Sequence, residues 1–322
     1  MNKERIRFID LFCGVGGFRV AMEQSCLENG LVPECVFSSD IDPFCQDAYE
    51  QNFGCRPTGD ITQTDPASIP DHQLLFAGFP CQPFSIIGQM RGFEDTRGTL
   101  FFYIANILHH KRPTAFVLEN VKQLVGHNKG QTLKTILHTL KELGYHVEFA
   151  VLNALHYGLP QKRERVLIVG HQNPIGFAFP SPSTSYKPLK EVLEKKVDER
   201  YLASDLIVKK RKQAHQSPYK PAIWHENKSG NISSYPYSCA LRANASYNYL
   251  LVNGVRRLTP REMFRLQGFP DSYRIIKHEA QARKQAGNAV PVNMVKAVID
   301  ALLPHVALTL KRSGQPESCE TI

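Results

Sequence analysis

Cys81 stands between two prolines in "FAGFPCQPFS", Phe76–Ser85, just after a short apolar run. Proline fixes its own φ, so Pro80 and Pro83 stiffen the backbone on both sides of the thiol. A cysteine that only fills core volume has no use for that; a nucleophile held at the end of a strand has. Glu119 ends another apolar run, "TAFVLEN", and Arg163 and Arg165 stand two apart in "QKRERV". If that segment is extended, the two guanidiniums share a face. Cationic neighbours favour thiolate over thiol. A thiolate, a carboxyl and two guanidiniums can attack and protonate an electron-poor heterocycle. The plainer alternative for the arginines is a surface ion-pair edge.

These residues need elements that bring them together. The first half of the chain alternates strand-like and helix-like patterns. "RFIDLF", "ECVFSSD", "HQLLFAG", "TAFVLEN", "HVEFAVLN" and "RVLIVG" read as strands. Gly17–Glu28, "PFCQDAYEQNF" from Pro43, "TLFFYIANILHH" and "GQTLKTILHTLKELG" read as helices. Buried strands alternating with helices imply an α/β fold, a doubly wound, mostly parallel sheet with helices on both faces. The pattern breaks at Pro174, Pro180, Pro182 and Pro188. Residues 176–283 then read as a second, smaller domain, with 1–175 and 284–322 forming the first. "VPVNMVKAVIDALL" reads as a helix with Pro291 in its first turn, and "KRSGQPESCETI" as a disordered tail.

Ligands of such sheets bind at the carboxyl ends of the strands. The residues there are the loop Gly14–Gly17, Asp40, Asp60, Pro80–Cys81 and Glu119–Asn120. The loop is no dinucleotide fingerprint, because Arg19 stands where a third glycine is required, and there is no P-loop lysine. Asp40, after the second strand, suits a ribose diol, and Asp60 can accept from an adenine amino group. Together they fit a nucleoside cofactor without phosphates. Downstream of Cys81, Gly88, Gly92 and Gly98 punctuate an aperiodic stretch that reads as a mobile lid.

The 322 residues carry 39 Lys and Arg against 30 Asp and Glu, a net charge of +9. Residues 176–283 hold 19 of the bases and 9 of the acids, a net of +10, so the whole excess lies in that segment. A polyanion such as nucleic acid is the partner that such a patch fits. None of the 8 cysteines forms a C-x-x-C pair, so neither zinc nor a disulfide framework is expected, and most should be small buried hydrophobes. No apolar run approaches the length of a membrane span and no signal peptide is recognisable, which places the protein inside the cell.

The chain resembles the cytosine-5 DNA methyltransferases of the bacterial restriction–modification type. "DLFCGVGGFRVAME", "GFPCQPFS", "ENV", "QKRERV", "RRLTPREMFRLQGFPDSY" and "QAGNAVPVNM" are similar to six of the family's motifs and follow in family order. The resemblance implies a fold of the S-adenosylmethionine-dependent methyltransferase type, S-adenosylmethionine as methyl donor, a flipped-out cytosine of double-stranded DNA as substrate, and two domains with DNA between them. Cys81 would attack C6, Glu119 would hold the ring nitrogen and amine, and Arg165 would support the base, with Arg163 close by. Phe18, Asp40, Asp60, Leu100, Asn288 and Val290 would line the cofactor pocket, with Gly14, Gly16, Gly17, Ile61 and Pro80 beside them. The family usually has Glu at the place of Asp40 and an aromatic at that of Ile41, so the ribose contact must reach further and adenine stacking is weaker.

Site choice then falls to roughly Pro218–Leu251, since the catalytic motifs can serve any cytosine. Asn227, Asn231, Asn244 and Asn248 can read adenine-type edges, Arg242 guanine, and Lys228 guanine or phosphate. Tyr235, Tyr237, Tyr247 and Tyr249 can pack on the DNA backbone, and Gly230 and Gly254 allow tight turns. Lys209, Lys210, Arg211 and Lys212 should bind phosphate without regard to sequence. Gln82, Ser85, Arg97, Arg256 and Arg257 complete the expected DNA-facing set, and a cytoplasmic bacterial monomer is the expected state. Three rivals share parts of the pattern. A tRNA cytosine methyltransferase on this scaffold would keep Cys81 and Glu119, but the large basic segment argues against it. A nicotinamide-dependent dehydrogenase would share the sheet and leave Cys81 unexplained. A non-catalytic DNA-binding relative would lack the nucleophile.

Overall fold

The computed structural model describes residues 4–80 and 100–313. Cys81, Gln82, Ser85, Arg97 and the glycine-punctuated stretch after Cys81 lie outside the described residues, as does the tail from 314. The expected tail begins too early, because 311–313 still belong to the last helix.

The first half builds β1 (Arg5–Leu11), α1 (Gly17–Glu28), β2 (Val32–Ser39), α2 (Pro43–Phe53), β3 (Leu74–Gly78), α3 (Leu100–Lys111), β4 (Ala115–Val121), α4 (Gln131–Glu142), β5 (His146–Asn153), β6 (Gln161–Lys162) and β7 (Glu164–His171). Six of these strands form one sheet in the order β2-β1-β3-β4-β7-β5. Neighbours from β2 to β4 are parallel, and β7 runs antiparallel to both β4 and β5. Alternating side chains feed two cores. Phe8, Phe76, Val117 and Leu167 face α1 and the last helix, whereas Ile9, Leu75, Phe116 and Ile168 face α3 and α4. Each fully buried Phe contributes about 1.5–3 kcal/mol relative to exposure. Pro33 is tolerated because β2 is an edge strand. At α2, Pro43 takes the first turn, Asp42 accepts from Phe44 N, and Gly54 closes the helix at φ 72°.

After Pro174 come α5 (Leu189–Val192), α6 (Asp205–Ala214), β8 (Ile223–Glu226), β9 (Ile232–Tyr235), β10 (Ser238–Cys239), β11 (Leu250–Val252), α7 (Pro260–Leu266), α8 (Glu279–Asn288) and α9 (Val292–Ser313). A small antiparallel sheet has the order β11-β8-β9, and β10 pairs in parallel with β6. Ile223, Leu241, Leu250, Phe264 and the apolar face of α9 belong to one continuous cluster with the inner face of the large sheet. Pro291 precedes α9 rather than standing in its first turn, and its carbonyl accepts from Met294 N and Val295 N. On length and composition alone the run through α8 and α9 could cross a membrane. Val295, Val298, Ile299 and Leu302 of α9 are nevertheless buried inside the protein.

Candidate active site and DNA-facing surface

The carboxyl ends of β1 to β4 open on one cavity of about 410 Å³. One wall is the loop after β1. Gly16 sits in the left-handed region at φ 76°, and a Cβ there would press into the ring of Phe53. A Cβ on Gly17 would come within 2.6 Å of Val290 Cγ2, so the loop and the segment before α9 can meet only through glycine. Tyr273 Oη donates to Val15 O at 2.8 Å, holding the loop from behind. Asp40 holds it from the front: Oδ2 accepts from Gly14 N at 2.7 Å and Oδ1 from Asp42 N at 2.8 Å. Burial pushes the Asp40 carboxyl above its ordinary pKa, and these two backbone donors pull against that shift. Each oxygen keeps a second lone pair for a ligand. Phe18 lines the cavity and stacks on Phe76 with ring centres 5.3 Å apart. Ile41 stands at the cavity 73% exposed.

Gly14, Gly17, Pro80, Asn288 and Val290 lie on the described wall, but Gly16, Asp60, Ile61 and Leu100 do not. Asp60 caps the turn 61–63 by accepting from Thr62 N, and Ile61 is buried in the core on the α3 side. Lys284, which sequence reasoning passed over, closes an ion pair with Asp42 at 2.8 Å between α8 and the start of α2. No local pattern marked it, because its partner is 242 residues away.

At the floor, Arg165 Nε meets Glu119 Oε1 at 2.8 Å, both side chains nearly buried. Asn120 donates to Phe79 O at 2.9 Å, fixing the backbone two residues before Cys81. Arg163 is only 1% exposed. Its guanidinium donates to Leu241 O at 2.9 Å, Gly287 O at 3.0 Å and Ala289 O at 2.9 Å. Burial, with Arg165 beside it, pulls the Arg163 pKa down to about 9, while Glu119 and Tyr249 oppose the shift. It therefore stays charged at neutral pH, with both terminal nitrogens bonded to backbone. Cys13 and Cys45 also line the cavity, but burial and the nearby carboxylates push both thiols well up. Neither is poised as a thiolate.

The basic segment divides. Lys209, Lys210 and Lys212 are exposed on α6. Arg211, expected among the phosphate binders, is buried instead, because it bonds Glu226 at 2.7 Å and the carbonyl of Asn248. Arg256 turns inward to both oxygens of buried Glu262, at 2.8 and 2.7 Å. Arg257 donates to Asn248 Oδ1 at 2.8 Å, which takes up one donor of Arg257 and one acceptor of Asn248. Tyr249 is buried in the core and Tyr247 donates to Glu279, so neither is an exposed platform for DNA. Asn227 Oδ1 accepts from Ser229 N and Asn231 N and thereby builds the β8–β9 turn. Asn227, Lys228, Arg242 and Asn244 nonetheless gather around one open pocket of about 430 Å³, with Glu226 and Asn248 beside them. Arg242 lies over the Tyr249 ring, 4.6 Å from its centre.

Residues 6–303 match the family model of the C-5 cytosine-specific DNA methylases. The chain belongs to that family. It is 56% identical over 292 residues to the type II methyltransferase M.NgoBI of Neisseria gonorrhoeae, covering 90% of each chain. It is 50% identical over 311 residues to M.HaeII of Haemophilus aegyptius, covering 95% of this chain and 96% of that one. In fold it is similar to the crystal structure of the S. pombe Dnmt2 methyltransferase, with a TM-score of 0.71 at 22% identity, over 94% of this chain and 99% of that one. The protein is thus a DNA cytosine-5 methyltransferase, of a family that takes its methyl group from S-adenosylmethionine.

The latch between Asp40 and the glycine loop yields a prediction. Asp40→Ala removes two backbone bonds and a carboxylate from the cavity wall, and should weaken S-adenosylhomocysteine binding by about tenfold or more, or about 1.4 kcal/mol. Asp60→Ala should weaken it less. Calorimetry showing unchanged affinity in Asp40→Ala would contradict this account of the wall.

Proposed function

We propose that the cavity takes S-adenosylmethionine along the β1–β2 wall and an extruded cytosine on the β4–β7 floor, and that Cys81 is the nucleophile. What carries the reading is the Glu119–Arg165 pair, buried at the floor next to a strand end that leads directly to Cys81. The wall suits the cofactor. Its volume falls within the roughly 300–1,000 Å³ of small-molecule sites, glycines allow close backbone approach, and a carboxylate and an aromatic face are in place. Lys284, the cation on that wall, is paired with Asp42, which disfavours a phosphate-bearing ligand.

Bound S-adenosylmethionine supplies an electrophilic methyl group on a sulfonium. The protein must make C5 of cytosine nucleophilic enough to take it. Addition of the Cys81 thiolate to C6 gives C5 enamine character, and a proton held between Glu119 and N3 assists. Arg165 fixes the Glu119 carboxyl in one orientation and supports the base. Loss of the C5 proton and departure of the cysteine then restore the ring. Inside a stacked duplex C5 is out of reach, so the base must leave the helix at a cost of a few kcal/mol. In this reading residues 176–283 form the domain that chooses the site. Arg242, Asn227, Lys228 and Asn244 are the candidate readers, and Arg163 supports the floor without touching the base. We read the protein as the modification enzyme of a type II restriction–modification system, acting as a monomer in the bacterial cytoplasm. The type II methyltransferase names and bacterial sources of the two relatives described above support the restriction–modification reading.

Duplex DNA carrying 5-fluorocytosine should trap the enzyme covalently, because the fluorine cannot leave as the C5 proton does. Peptide mapping should find the adduct on Cys81; an adduct on another cysteine, or none, would refute the mechanism. The same assay with tRNA should give no adduct.

Changing Lys209, Lys210 and Lys212 together to alanine should weaken binding to all duplexes alike. It should also lower the slope of log affinity against log salt by up to about 3. A loss confined to one DNA sequence would show that these lysines read bases.

A further inference from the structure

The polar seam beneath the cavity has a geometry that the chemistry of methyl transfer does not require. Gln161 of β6 and Arg163, the residue just before β7, are both buried and grip one residue of the recognition segment from both sides. Leu241 N donates to Gln161 Oε1 at 3.0 Å, and Leu241 O accepts from Arg163 at 2.9 Å. The next residue is Arg242, whose own N–H donates to Tyr249 Oη at 2.9 Å while its guanidinium lies over that ring. The other acceptors of Arg163, Gly287 O and Ala289 O, flank Asn288 on the cavity wall. Gly287 packs directly on the peptide after Arg242, since a Cβ there would stand 2.7 Å from Ala243 Cα. One buried cation therefore joins the segment that bears Arg242 to the segment that lines the cavity.

We infer that Arg163 is a positioning residue for site choice: it fixes the backbone of Leu241, and so the reach of Arg242 toward a guanine edge, in register with the cavity where the cytosine is methylated. The inference rests on the reading of Pro218–Leu251 as the site-choosing segment. Three carbonyls around one buried side chain suit a planar donor with several N–H groups. A lysine ammonium also has three donors, but on one nitrogen at the end of a flexible stem, so it does not reproduce the fork in which Nη1 takes Leu241 O and Nη2 takes Gly287 O and Ala289 O. The backbone of Leu241 would then regain freedom, and a side chain that reads a base edge loses discrimination when it is displaced by even about an ångström.

The test begins by mapping the methylated site by bisulfite sequencing of DNA from cells that express the protein. kcat/KM is then measured on the cognate duplex and on duplexes with one base pair replaced, for wild type, Arg163→Lys, Gly287→Ala and Arg242→Ala, each checked by thermal melting. In Arg163→Lys and Gly287→Ala the ratio of cognate to substituted rates should fall about tenfold or more, and at the base pair where Arg242→Ala relaxes it. Gly287→Ala keeps the buried cation but sets a methyl group against the Ala243 backbone, which must shift, so it decides the matter if Arg163→Lys does not fold. Equal losses on all duplexes in both variants, with the ratio unchanged, overturn the inference even where Arg242→Ala relaxes the site. If Arg242→Ala relaxes no base pair, the reading of the segment fails instead, and the inference with it.

Discussion

The antiparallel register of β7 against β4 is the constraint on which the site depends. A parallel strand there would carry its end to the same pole of the sheet as Glu119, and its start to the opposite one. Because β7 is reversed, its start lies beside the end of β4, with Arg165 opposite Val121 and Leu167 opposite Glu119. That is what sets the guanidinium 2.8 Å from the carboxylate. It also puts Arg163 at the sheet's rim, where the recognition segment and the approach to α9 converge. An ion pair this buried depends on geometry, since desolvating each charge costs several kcal/mol and only close, satisfied contacts repay it. The strand pairing supplies that geometry before any substrate arrives.

The opposite wall follows another rule. Its close contacts are made by backbone, so side chains had to be removed or recruited. Gly17 lets Val290 approach, Asp40 ties the Gly14 amide, and Tyr273 ties the Val15 carbonyl from a segment 258 residues away. The loop is therefore held from β2, from the segment after α7 and from the approach to α9 at once. A loop tied on three sides presents its amides to a ligand without further ordering cost.

The large sheet was legible because buried strands and amphipathic helices alternate in plain view, and the named strands and helices of the first half fall where their patterns place them. The reversal of β7 was not legible, since strand direction follows from connections rather than from composition. Among site residues, glycines and strand-end acids could be found by type. What could not be found was which acids face the cavity: Asp40 does, while Asp60 caps a turn. The basic segment misled for a related reason. A run such as Lys209–Lys212 looks uniform, yet one turn of helix separates its faces, and Arg211 points at Glu226. Arg256 likewise reads as a surface charge until buried Glu262 is seen beside it. The small sheet, with strands of three or four residues, leaves no periodic signal long enough to recognise.

If β7 exists in this register to make Glu119 and Arg165 one unit, their contributions to catalysis cannot be independent. A double-mutant cycle reads this directly, from single-turnover methyl transfer to the cognate duplex by wild type, Glu119→Gln, Arg165→Gln and the double variant. The account predicts that the double variant is no slower than the slower single variant, within about threefold. Losses that multiply would mean that the two side chains act separately, and would contradict it.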